Sequence, residues 1–83
     1  MTFKEFSNNI NEKSIPESWY SIDNGVKFNA SILINNKSYW EFFDYDEMGE
    51  KHNWKILNNE EEALDFLWKQ MERKMILFNR NKK

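Results

Sequence analysis

His52 is the only histidine among 83 residues, and there is no cysteine. The two side chains that most often act as nucleophile, metal ligand or proton shuttle are therefore almost missing. No serine sits in a Gly-x-Ser-x-Gly elbow. Two glycines in the whole chain cannot write a phosphate-cradling loop. Asp44-Tyr45-Asp46-Glu47-Met48-Gly49 opens like a calcium loop. It then places Met48 where an oxygen ligand belongs and Lys55 where a bidentate glutamate must stand. No catalytic, cofactor-binding or metal-binding residue is expected, and the chain reads as a non-enzymatic binding protein.

The chemistry that remains is carboxylate and ring. Seven Phe, four Trp and three Tyr supply large contact areas for a core or an interface. The net charge is only −2, but its distribution is uneven. Residues 41–65 carry nine acids against Lys51 and Lys55, a balance of −7. Residues 66–83 carry six bases against Glu72, a balance of +5. Helix-dipole complementarity accounts for Glu60–Glu62 and for the terminal bases. It does not account for the acids ahead of that helix. Glu41, Asp44, Tyr45, Asp46, Glu47 and Glu50 are therefore the candidate contact set for a basic partner, with Trp19 and Tyr20 as ring anchors. Core packing is the competing role for Trp19, Tyr20, Trp40 and Trp54. Carboxylates beside the rings of residues 40–45 would repel phosphate, so nucleic acid is not expected there. Lys69, Arg73, Lys74, Arg80, Lys82 and Lys83 are the only basic set that could take it.

The elements that position these groups follow from pattern. Thr2 and Glu5 form a capping box, and Phe3, Phe6 and Ile10 make one apolar stripe, predicting a helix over about 2–13. Ile15-Pro16 forces an extended link. Strands are expected at about 18–23, 30–35, 38–45 and 52–57. Asn24-Gly25 is either a hairpin turn into Val26-Lys27-Phe28 or part of a longer loop. In the third strand Glu41, Phe43 and Tyr45 share one face and Trp40, Phe42 and Asp44 the other. With aromatics on both faces it should be central. His52, Trp54 and Ile56 share a face of the fourth strand. Asn59 and Glu62 start the last helix, expected over about 60–78, with Leu64, Leu67, Trp68, Met71, Met75 and Phe78 facing the core. Asp65 and Lys69 are spaced to pair. Phe66 and Leu77 fall near the opposite face, and residues 79–83 are expected to fray as a basic tail. The sum is a single α+β domain: an antiparallel meander of three to four strands, flanked by an N-terminal helix and a longer C-terminal one.

No run approaches the roughly 20 apolar residues of a membrane span, and the first residues lack a leader's apolar stretch, so a cytoplasmic protein is expected. The cadence is also informative. Trp19-Tyr20-Ser21-Ile22-Asp23-Asn24-Gly25 is followed by Trp40-Glu41-Phe42-Phe43, then by Asp46-Glu47-Met48-Gly49-Glu50-Lys51, Leu57 and Glu61-Glu62-Ala63. Over residues 17–70 this resembles the small bacterial immunity proteins of polymorphic toxin and contact-dependent inhibition systems. Met48 stands where such relatives often carry arginine. The resemblance implies a protein that binds a cognate toxin and blocks it, either by covering its active site or by binding elsewhere. A nuclease toxin would present the basic surface that the acidic stretch suits. A general interaction or regulatory subunit is the alternative, homodimeric through an uncovered sheet face or through Phe66 and Leu77.

Overall fold

In the computed structural model, which describes residues 1–81, the first helix, α1 (Phe3–Glu12), starts where its capping box places it. The Glu5 N–H donates to Thr2 Oγ1 at 3.1 Å, and the Thr2 N–H donates to Glu5 Oε1 at 2.8 Å. The helix buries Phe6 and Ile10, while Phe3 at its first turn is left exposed. Ser14, in the left-handed region at φ 54°, ends it, and buried Ile15 leads through Pro16 into a 3-10 turn, Glu17–Trp19.

Four strands follow: β1 (Tyr20–Ile22), β2 (Ala30–Asn35), β3 (Trp40–Tyr45) and β4 (Lys51–Leu57). They lie in the order β1-β2-β3-β4. The sheet is mixed, which corrects the expected antiparallel meander: β1 runs parallel to β2, and only the other two pairs are antiparallel. Asn24-Gly25 does not close a hairpin. Residues 23–29 instead form a loop that brings the chain back to start β2 beside the start of β1. Asp23, Gly25 and Asn29 all take positive φ within it. The Asp23 N–H donates to the Leu33 carbonyl at 2.7 Å, and Ser21 Oγ donates to the Gly25 carbonyl at 2.8 Å. Parallel strands ordinarily need a crossover of a dozen residues or more. A shorter one suffices here because β1 has three residues, so the chain retraces only about 10 Å.

The second helix, α2 (Glu60–Asn81), runs past the expected end at 78 and through the expected fray, of which Lys82 and Lys83 lie outside the described residues. Its N-terminus is capped as predicted, with the Glu62 N–H donating to Asn59 Oδ1 at 2.9 Å. Both helices cover the same sheet face. Their Phe6, Ile10, Ala63, Leu64, Leu67 and Met71 bury Leu33, Phe42 and Leu57. The buried line of α2 is centred on Leu67, so that Ala63, Leu67, Met71 and half-buried Lys74 face the sheet. That rotation corrects two expectations. Phe66 is not on an outer face; its ring meets Phe42 edge-on at 4.8 Å. Phe78 is half exposed beyond the core and meets Trp19 at 5.7 Å. The helix is about 33 Å long and overhangs the sheet, which leaves Ile76 and Leu77 exposed. Asp65 bonds the Met1 amine at 2.5 Å rather than Lys69. No helix among the described residues is long and apolar enough to cross a membrane.

β3 is central, as its two aromatic faces require. Phe42 belongs to the helix-side core, and Phe43 packs with Ala30 and Ile32 on the other side. Phe42→Ala should lower the free energy of unfolding by about 3–5 kcal/mol, because the cavity opens at the centre of a packed face. Urea denaturation measures this, and a loss below about 1 kcal/mol would mean that α2 does not rest on this ring.

Candidate partner-binding surface

The sheet face without helices is built by strand alternation. Glu41, Phe43 and Tyr45 come from β3, Ala30, Ile32 and Ile34 from β2, and Trp54 and Ile56 from β4. Ala30, Ile32 and Phe43 are buried on this side, with half-buried Ile34 and Tyr45 packed against them. The 23–29 loop delivers Phe28 onto Tyr45, ring over ring at 5.5 Å and 29°. The 46–49 turn is seated on the same ring. A Cβ at Gly49 (φ +81°) would lie 3.3 Å from Tyr45 Oη, so glycine serves both the turn and the close approach. Trp54 Nε1 donates to Glu41 Oε2, which fixes the indole, and the Lys51 ammonium lies 4.6 Å from the Phe43 ring centre. Although held in this way, Phe28 is 64% exposed and Trp54 59%. Met48 at the neighbouring turn is 78% exposed.

His52 does not share that face with Trp54 and Ile56, which corrects the alternation expected for β4. The β3–β4 register slips between Phe42 and Asp44, and Asn53 sits at φ 57°. This bulge turns His52 to pair with Asp44 on the helix side. The acids gathered there are held within the protein. Asp44 Oδ1 accepts from Ser31 Oγ at 2.7 Å, and its Oδ2 accepts from Asn53 Nδ2 at 2.9 Å. Ser31 is fully buried, and its hydroxyl requires such a partner. Asp46 Oδ1 accepts the N–H groups of Met48 and Glu50 at 2.9 and 2.8 Å, and Oδ2 lies 2.7 Å from His52 Nε2. The Glu50 backbone bond first, then His52, holds the Asp46 carboxyl below its ordinary range. The same carboxylate raises His52. Lys74 donates to the Trp19 carbonyl at 3.2 Å, and burial lowers its ammonium against the opposing pull of Asp44. Ligand atoms of Asp46, Glu50 and His52 lie within 4.8 Å of one another. The turn that Asp46 ties together accounts for that closeness.

The expected contact residues thus divide. Glu41 and Tyr45 stand on the uncovered face. Glu47 and Glu50 are exposed at the adjoining turn, and Asp44 and Asp46 are committed to internal bonds. Trp19 and Tyr20 lie on the helix side, off the uncovered face, where Tyr20 meets Phe6 edge-on at 5.6 Å. Burial, with Glu17 second, raises the Tyr20 hydroxyl. The sequence reading missed Phe28 and left Trp54 as a core candidate. Alternation along β4 carried the signal for Trp54, but nothing local revealed that a loop would place Phe28 on Tyr45. Comparison with family models, with curated proteins and with solved structures finds no match for this chain.

The Asp46–His52 pair gives the turn a defined pH range. Asp46, lowered from 3.8, stabilises the fold above that value and loses its effect as pH falls through the folded-state value. His52, raised from 6.5, stabilises below 6.5 and loses its effect as pH rises through its folded-state value. The pair therefore contributes most between about pH 4 and 6.5. The melting temperature of the native chain should exceed that of His52→Gln in this window, and the gap should close as pH rises through the folded-state value of His52. Equal melting curves across the range would show that the contact does not hold in solution.

Proposed function

We propose that this chain is an immunity-type binding protein that neutralises a cognate bacterial toxin domain, of the basic nuclease kind, with no catalysis of its own. The observation that carries the reading is the uncovered sheet face, where Trp54 and Phe28 stay exposed although Glu41 and Tyr45 hold them in place. Large rings presented in a fixed orientation lose little freedom on binding and make strong anchors when a partner desolvates them. Glu47 and Glu50, exposed beside them, supply the negative rim that speeds encounter with a cationic surface. The cadence of Trp19 to Ala63 supports the immunity assignment.

The test is to sequence the reading frames beside this gene, where a toxic domain is expected, and to co-express the chain with that domain. The chain should restore growth and elute with that domain as one complex. Trp54→Ala combined with Phe28→Ala should weaken the complex at least about 30-fold, the effect of losing one hot spot of about 2 kcal/mol. Glu47→Lys with Glu50→Lys should slow association at low salt and leave dissociation nearly unchanged. Undiminished killing and no complex would remove the proposal. An intact complex with the Trp54/Phe28 variant would move the interface elsewhere.

A further inference from the structure

The helix-covered side carries a second feature, on the opposite face from the rings just described. Phe66, Lys69, Gln70 and Arg73 fall at i, i+3, i+4 and i+7 of α2 and so form one line along the helix. That line runs beside β4, an edge strand, from which Asn53 and Lys55 join it. The six residues line an open hollow of about 440 Å³, whose lining contains three cations and no carboxylate. Acids outnumber bases in this chain, 14 to 12, so the lining departs from what composition alone would place there.

The cations are not neutralised from outside the hollow either. Among the described residues no carboxylate lies within ion-pair distance of Lys55, Lys69 or Arg73. The Lys55 ammonium rests over the Phe66 ring, 4.8 Å from its centre. A ring face holds a cation in place without cancelling its charge. Phe66 is itself fixed edge-on by Phe42 of the core. Asn53 is anchored at the bulge by the hydrogen bond that its Nδ2 donates to Asp44 Oδ2. Lys69 and Arg73 stand one helical turn apart, about 6 Å, with Lys55 across the hollow from them. Arginine offers a planar fork suited to two oxygens of one phosphate, and lysine adds a point charge. Like charges held together in this way raise the local potential, and an anion that binds there lowers it.

From this convergence we infer that the hollow between β4 and α2 is a binding site for a small ligand carrying two or more linked phosphates. Its volume lies in the range of small-molecule sites, and three cations on two sides match a charge spread over adjacent phosphate groups rather than a single carboxylate. The inference is independent of toxin binding, because the ring-bearing face lies on the other side of the sheet.

The experiment is a titration of the full chain with inorganic pyrophosphate at physiological salt, followed by amide and side-chain resonances. Saturable shifts are expected at Asn53, Lys55, Lys69, Gln70 and Arg73, with half-saturation below about 1 mM. Lys69→Glu with Arg73→Glu, both exposed positions, should weaken binding at least 10-fold while the melting curve stays within about 2 °C. Lys37→Glu, at the far turn, should leave binding unchanged. Parallel titrations use a nucleoside triphosphate, a single-stranded oligonucleotide and polyglutamate. Binding of pyrophosphate and the triphosphate supports the inference. Three results overturn it: no saturation by about 10 mM, equal displacement by polyglutamate, or binding of the oligonucleotide alone.

Discussion

Burial of β3 on both faces is the constraint around which the molecule is arranged. Phe42 faces α1 and α2, while Phe43, its neighbour in sequence, faces the other way against Ala30 and Ile32. A strand cannot hide two large rings on opposite sides unless it lies inside the sheet with something above and below. The helices provide one cover. On the other side no element among the described residues lies over Phe43, and Ala30, Ile32, Tyr45 and the Lys51 side chain close around it. β4 is then left at the edge, exposed except at Leu57, with lysines and a bulge that blunt it against pairing with other chains.

Charge follows the same geometry. A serine buried at zero exposure between strand and helix needs an acceptor, and Asp44 supplies it across the β2–β3 pair. Asp46 gathers two backbone N–H groups and His52, and so sets the turn that seats Gly49 on Tyr45. These two carboxylates are structural first. The anionic groups left for a partner are Glu41, oriented through Trp54, and the turn residues Glu47 and Glu50. Lys69 and Arg73 of α2 lie on a different side, facing β4. The chain thus separates an aromatic and acidic surface from a basic one by the thickness of its own sheet.

Much of this was legible locally. The capping box at Thr2 and Glu5, the Asn59 cap, the amphipathic α2 and the two-faced aromatic strand all depend on neighbours within a few residues, and each forms as its pattern predicts. The α+β class follows from their order. The sites were less legible. Asp44 and Glu41 look alike in a charge count, yet three residues along a strand put them on opposite faces, one bonded to Ser31 and the other free to hold an indole.

The sequence by itself determined the elements, the starts of both helices and the central place of β3, because helix caps and period-2 alternation are short-range properties of the chain. Only the tertiary structure decided that β1 runs parallel to β2, that a bulge at Asn53 parts His52 from Trp54, and that α2 sets Phe66 on Phe42 while leaving Phe78 half exposed. Each of those outcomes is chosen by contacts between segments distant in sequence: Asp23 with Leu33, Asn53 with Asp44, Phe66 with Phe42. Local preference leaves such alternatives nearly equal in free energy, and the packing of the assembled core selects among them.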